Sequence, residues 1–254
     1  ANVGTYRQLD LSREQHFHKE HVLAKLPCAF RSCEPRESAF MTRHADWYFD
    51  VVSPYAYLQF VTFYRLPEDL EIRIKPVLFA GLLAAWDNMG PAEIPTKRSQ
   101  TYRYCHWQAG KRGIPFKTPP RHPFNPLAIL RLAVALDGDP AAVGTIFHHI
   151  WGTGNDGQDP DSLTTLAATL GVDDWQALVN DPAVKQQLRA NTDEAVAAGV
   201  FGVPTFAIDG EIFWGDDVTD MLLDYLSDPG LFRRGELRRL GDLPVAAQRK
   251  QSRL

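Results

Sequence analysis

The sequence predicts an α/β fold in which a small mixed sheet is interrupted by an all-helical insert, and three observations carry that expectation. Strand signals fall only near the two ends of the body, at residues 46–52 and 71–77 and again at 205–208 and 211–214. Between about Phe79 and Ala198 apolar residues recur at helical spacing instead. The first two strands are separated by one helical stretch, as a parallel βαβ unit requires, and the last two by Asp209-Gly210, a strong hairpin turn. The order βαβ, helical block, ββα is that of a thioredoxin-like sheet with a helical domain inserted in its middle.

Each element has a local cause. Asp46-Trp47-Tyr48-Phe49-Asp50-Val51-Val52 is β-branched and aromatic, the profile of a buried strand. Ser53-Pro54 then starts a helix, because Ser is a favoured N-cap and Pro is tolerated at the first helical position. Residues 71–77 alternate polar and apolar side chains and form the second strand. Helical stripes follow at 127–136, 141–151, 163–170 and 175–179, separated by turn chemistry such as Asp137-Gly138-Asp139-Pro140. A helix through 193–198 ends at Gly199, a suitable C-terminal cap. After the hairpin, Gly215-Asp216-Asp217 leads into a last helix over 218–226, stopped by Asp228-Pro229-Gly230. The expected division is a thioredoxin-like domain at 43–78 and 192–230, with the inserted helical domain at 79–191.

Of the 254 residues, 44% are hydrophobic and 23% charged, an ordinary globular mixture that excludes wholesale disorder and a disulfide-dense miniature scaffold. No run approaches the ~18–20 apolar residues needed to span a bilayer, so a soluble protein is expected. Charge is uneven. The first forty residues hold 6 basic and 5 acidic side chains and residues 231–254 hold 7 and 2, leaving a body with 14 basic and 24 acidic, a net of −10. An acidic body argues against a nucleic-acid groove, and 231–254 reads as a basic C-terminal tail rather than a polyanion-binding arm. Residues 1–42 are polar, lack sustained periodicity and carry no secretory signal. They are expected to be a disordered leader or an upstream extension of a chain that starts at Met41. Cys28 and Cys33, with His16, His18 and His21 before them, match no standard zinc spacing, so no metal site is expected. With Cys105 alone in the body, a reducing, cytoplasmic compartment is expected.

Three segments could carry chemistry. Ser53 stands where a strand ends and a helix begins, a position where free backbone N–H groups favour an anion; taken alone, it reads as a helix cap. Val203-Pro204-Thr205 precedes a strand, where a cis proline would leave backbone groups free; taken alone, Pro204 is a turn or edge-strand proline. Phe213-Trp214-Gly215-Asp216-Asp217 opens the last helix, and in isolation is a buried aromatic followed by a cap. In a thioredoxin-like topology the three converge on one edge.

At these residues the chain resembles the 2-hydroxychromene-2-carboxylate isomerase family, relatives of kappa-class glutathione transferases and DsbA-like oxidoreductases. The resemblance rests on the stretch from Tyr48 through Ser53-Pro54-Tyr55-Ala56 to Leu58, on Gly90-Pro91-Ala92-Glu93-Ile94-Pro95, on the run from Gly199 through Val203-Pro204-Thr205 to Phe206, and on the run from Gly210 to Asp217. It implies a DsbA-like fold and reduced glutathione as cofactor. Ser53-Pro54-Tyr55-Ala56 occupies the place where oxidoreductase relatives carry Cys-x-x-Cys, so dithiol–disulfide exchange through this motif is ruled out chemically. The resemblance assigns Ser53 to the glutathione sulfur, Val203 beside Pro204 to the tripeptide backbone, and Trp214, Gly215, Asp216 and Asp217 to its γ-glutamyl end. Asp216 departs from the Asn or Gln usual there, which makes Asp217 the stronger candidate. For a small aromatic substrate it points to Asn88, Glu93, Ile94, Lys97 and His122. Leu82, Leu83 and Ala84 stand where some members place a lysine, so the substrate is not specified.

The expected activity is therefore a glutathione-dependent isomerisation of 2-hydroxychromene-2-carboxylate-like compounds to trans-o-hydroxybenzylidenepyruvates in aromatic catabolism. A kappa-like glutathione transferase or peroxidase shares the thiolate activation and stays open as an alternative. So does a redox-inactive thioredoxin-like binding or chaperone module. Relatives often pair as homodimers, and nothing in the sequence picks an interface.

Overall fold

The computed structural model describes residues 42–247. The leader drawn at 1–42, Thr42 apart, and the end of the basic tail lie outside the described residues. Four strands form one sheet in the order β2-β1-β3-β4. β1 (Arg43–Phe49) pairs in parallel with β2 (Leu70–Pro76), antiparallel with β3 (Thr205–Ile208), and β3 pairs antiparallel with β4 (Glu211–Trp214). The expected βαβ and ββα units are both present, joined through β1. The first strand ends three residues early. Residues 50–52 leave the ladder in a turn that delivers Ser53 to α1 (Pro54–Phe60).

β1 organises the core because its second half is buried on both faces. Ala45, Trp47 and Phe49 point to one side, where they join Ile129, Leu130, Ile146, Phe147 and Trp151 in the main apolar core. Tyr48 points to the other, against Val77, Leu82, Ala195, Val200 and Val203. Trp47 and Phe49, two apart on the strand, stack with centroids 4.9 Å apart. Full burial of each such ring stabilises the fold by roughly 2–3 kcal/mol. The helical insert does not close a core of its own; its apolar stripes complete the core begun by β1.

Helix starts repeat one device. Ser53-Pro54 opens α1, Asp139-Pro140 opens α5 (Pro140–Phe147), Asp159-Pro160 opens α6 (Pro160–Thr169) and Asp181-Pro182 opens α8 (Pro182–Ala197). In each the acceptor side chain takes a backbone N–H of the first turn while Pro sets φ at a position that needs no N–H. Two more helices complete the order between α2 and α5. They are α3 (Pro95–Arg112) and α4 (Leu127–Ala135), preceded by α2 (Phe79–Ala85). α7 (Trp175–Asn180) precedes α8, and α9 (Thr219–Ser227) follows the sheet.

Two lengths differ from the sequence expectation. α8 begins at 182 rather than 193; its first turns expose Gln186, Gln187 and Arg189 and bury little, so they show no apolar stripe. α3, eighteen residues long, buries only Cys105 and Ala109 and was invisible for the same reason. Beyond Gly230 the chain does not leave the body at once. Phe232 packs on Phe213 and Tyr225, and α10 (Gly235–Gly241) follows. Among the described residues no helix is long and apolar enough to cross a membrane.

The turn before α5 is a sensitive joint. Gly138 has φ +64, and a Cβ there would lie 2.3 Å from the carbonyl oxygen of Ile74 on β2. Both the backbone region and the contact exclude a side chain. Gly138→Ala is expected to cost about 2 kcal/mol or more, read from the midpoint of denaturant unfolding. A change below about 0.5 kcal/mol would contradict the close approach.

Candidate active site

The site is built around the turn that links β1 to α1. Asp50, wholly buried, accepts the Val52 N–H at Oδ1 and the Phe79 N–H at Oδ2, both at 2.9 Å, and its carbonyl accepts the Ser53 N–H at 3.0 Å. Burial pushes this carboxyl up to about 7, against the opposite pull of its two backbone donors. The carbonyl of Val51 accepts the Trp151 indole N–H at 2.8 Å. The turn is thereby held from within through the Asp50 carboxyl and carbonyl and from the insert through Phe79 and Trp151.

Ser53 caps α1 with extended backbone (φ −89, ψ 114) and is 7% exposed. Its Oγ accepts the Ala56 N–H at 3.3 Å and donates to the Val203 carbonyl at 3.4 Å. Both are long for a hydroxyl, so its proton is held loosely and is available to a stronger acceptor. The Val203–Pro204 bond is cis. Among the described residues the Val203 N–H makes no hydrogen bond. The Pro204 carbonyl accepts the Gly215 N–H at 2.9 Å, which ties this turn to the end of β4.

Gln59 completes the constellation. It accepts the Trp47 indole N–H at 2.7 Å and donates to the Gly215 carbonyl at 2.9 Å and to Thr219 Oγ1 at 3.3 Å. The three sequence segments therefore converge: Ser53 meets Val203, Pro204 meets Gly215, and Gln59 locks α1 to Gly215. Gly215 adopts φ +104, a region that favours glycine, and a Cβ there would meet the Asp217 carboxylate. Trp214 is half exposed, with its indole across Gly202 and its ring 5.0 Å from Phe201. A side chain at Gly202 would come within 2.4 Å of the Trp214 indole nitrogen.

The two acids after Gly215 divide. Asp217 is exposed beside the loop. Asp216 is 4% exposed, and its Oδ1 takes the Arg112 guanidinium at 2.8 Å. The carboxylate of Asp216, a candidate for the γ-glutamyl end, is thus paired with Arg112 at the end of α3.

The substrate candidates are more dispersed. The Asn88 side chain accepts the Met89 N–H at 2.8 Å, and Glu93 accepts the Gly90 N–H at 2.6 Å, so each closes its own turn. Ile94 caps α3, and Lys97 is exposed on its first turn. Among the described residues no hydrogen bond or ion pair joins these four to the Ser53 group. His122 does join it, in a different way from that expected. Its Nε2 lies 2.7 Å from the Val52 carbonyl and its Nδ1 2.7 Å from the Tyr102 hydroxyl, so both nitrogens are used within the chain. Cys105, the one cysteine among the described residues, is buried, and burial pushes its thiol up to about 12. It is no thiolate at neutral pH. His148 and His149 lie in a five-residue π turn, where His149 pairs with Ser162 at 2.9 Å.

Gln59, Asp50 and Trp151 were not singled out from the sequence. The signal for the first two was present: a Gln inside an apolar helix stripe, and an Asp inside an apolar strand run. Each is a buried polar group that must find partners. Trp151 gave no such signal, because its partner carbonyl is a hundred residues away.

The sequence model of the DSBA-like thioredoxin domain matches residues 45–227. A 2-hydroxychromene-2-carboxylate isomerase from Sphingobium xenophagum is 32% identical over 200 residues, covering 74% of this chain and all of that protein. Glutathione S-transferase kappa 2 from Caenorhabditis elegans is 31% identical over 206 residues, 72% of this chain and 91% of that one. Among solved structures, a 2-hydroxychromene-2-carboxylate isomerase superposes with a TM-score of 0.65 at 26% identity, over 80% of this chain and all of that one. A probable DsbA oxidoreductase from Streptomyces coelicolor shares the fold, with a TM-score of 0.57 at 18% identity over 76% and 92% of the two chains.

Proposed function

Because this chain belongs to the DSBA-like thioredoxin family that includes the 2-hydroxychromene-2-carboxylate isomerases, we propose that it is a glutathione-dependent isomerase of the same substrate class. It would convert 2-hydroxychromene-2-carboxylate-like compounds to trans-o-hydroxybenzylidenepyruvates. The observation that carries the proposal is the loosely held Ser53 hydroxyl beside the Val203 N–H, which makes no hydrogen bond among the described residues.

These residues fit a reduced tripeptide thiol. Val203 offers a backbone N–H for strand-like pairing with an extended peptide. The Asp217 carboxylate suits an ammonium group, and the lack of a side chain at Gly202 lets the Trp214 indole lie across it at the edge of the site. When bound, glutathione supplies a thiolate able to add reversibly to a conjugated double bond. Ser53 would donate its hydroxyl proton as a hydrogen bond to that sulfur, which favours the thiolate over the thiol. Asp50 would keep the serine in register through the Ser53 and Val52 amides, and Gln59 would hold the Gly215 loop against α1. The chain's contribution is thus orientation and stabilisation of charge, the two largest sources of such acceleration.

Reduced glutathione at millimolar concentration is expected to raise the melting temperature, since a ligand bound by the folded state alone stabilises it. Isomerisation of the chromene is expected to stop when glutathione is withheld. No thermal shift together with glutathione-independent turnover would overturn the proposal. The 31% identity to a kappa-class transferase favours one second reading, release of a glutathione adduct instead of the isomer. Product analysis of the same reaction separates the two.

A further inference from the structure

We propose that His122, backed by Tyr102, is a positioning residue that clamps the Val52–Ser53 peptide and so aims the Ser53 hydroxyl. The proposal rests on the glutathione reading of the site and assigns His122 a role other than contact with the aromatic substrate.

The clamp follows from donor and acceptor chemistry. A carbonyl can only accept, so the 2.7 Å contact to Val52 requires a proton on His122 Nε2. In the neutral ring Nδ1 is then an acceptor, and the Tyr102 hydroxyl at 2.7 Å must donate to it. The Val52 carbonyl therefore fixes the tautomer, and Tyr102, whose hydroxyl also lies 3.1 Å from the His122 carbonyl, backs the ring by satisfying Nδ1. In the other tautomer Nε2 would present a lone pair to the Val52 carbonyl oxygen and repel it. Burial, with the nearby Arg98 charge, lowers the tendency of His122 to protonate and keeps the ring neutral.

The ring is also held sterically. It meets Tyr102, Trp151 and Phe124 edge-on, with centroids 5.3, 5.3 and 6.0 Å away. The peptide it grips is held at the opposite end too, where the Ser53 N–H donates to Asp50. The two hydrogen bonds of the Ser53 hydroxyl itself are long. Its direction is consequently set by the backbone, and the backbone by this clamp. Small displacements of a reacting or stabilising group can cost as much as about 100-fold in rate.

The test compares the whole protein with His122→Leu, His122→Gln and Tyr102→Phe, each checked for folding by circular dichroism. The readouts are the ultraviolet absorbance of bound glutathione thiolate and separate kcat and KM values. His122→Leu is expected to lose most of the thiolate band and about tenfold in kcat, with KM for the chromene nearly unchanged. Tyr102→Phe, which keeps the ring but removes the hydroxyl that anchors His122 Nδ1, is expected to lose part of the same band. His122→Gln, whose amide can reach the Val52 carbonyl, is expected to restore it. A thiolate band in the unaltered protein that persists in His122→Leu overturns the clamp alone. A rise in KM for the chromene with the band intact assigns His122 to substrate contact and likewise overturns it. If His122→Leu does not fold, an unchanged band in Tyr102→Phe overturns it instead. No band in any form, the unaltered protein included, overturns the glutathione reading beneath it.

Discussion

Replacing Ser53 by alanine is expected to lower kcat about 100-fold while leaving the protein folded. The size follows from what the hydroxyl would do. One donor aimed at developing or standing negative charge in a shielded site contributes about 10²–10³ in rate. The structural cost is much smaller. Alanine removes a single N-cap acceptor, the one that takes the Ala56 N–H at 3.3 Å, a loss of about 1 kcal/mol. Activity and stability therefore separate by more than an order of magnitude, and a melt taken beside the assay distinguishes them. A second measurement points the same way. Without the donated hydrogen bond the thiol ionises less readily, so the acidic limb of the pH–rate profile should move to higher pH. Unchanged turnover in Ser53→Ala would reject the role.

Asp50 governs the second large effect, which is on stability and depends on pH. Its carboxyl sits near 4 in an unfolded chain and is pushed up to about 7 by complete burial in the folded one. Between those values the folded state holds a proton that the unfolded state has released. Stability contributed by this group is therefore complete below about pH 4 and falls as pH rises toward 7. Asp50→Asn removes that slope. The amide can still accept one of the Val52 and Phe79 N–H groups but turns a donor toward the other, at a cost of about 1–3 kcal/mol. The variant is expected to melt well below the parent at pH 5, and the gap should narrow markedly by pH 8. Carboxylates held low, such as Asp156 beside Arg121, bias both proteins equally and cancel in the difference. A gap independent of pH would show that Asp50 is ionised throughout.

Much of this molecule was legible from local pattern. The strand-to-helix switch at Ser53-Pro54, the Asp209-Gly210 hairpin and the order of elements all depend on neighbours in the chain, and they appear at those positions. Polar helices were legible only where they bury a stripe. α3 buries only Cys105 and Ala109 of its eighteen residues, so it shows no apolar periodicity. The convergence of Ser53, Val203 and Gly215 was anticipated from topology, whereas the commitment of Asp216 to Arg112 was not. That pairing joins residues 104 apart and depends on where α3 ends.

The sequence by itself determined the order of elements along the chain, the serine at the helix start and the absence of a cysteine pair at that junction. These are properties of period, turn chemistry and residue type, each readable within a few residues. Only the tertiary structure decided which polar groups are free and which are spent. His122 stands in a turn in the sequence, yet its ring nitrogen meets the Val52 carbonyl; Asp216 stands at a helix start, yet its carboxylate pairs with Arg112. The physical reason is that a buried donor or acceptor must be satisfied by whatever packing brings within about 3 Å, and that partner carries no mark in the local sequence.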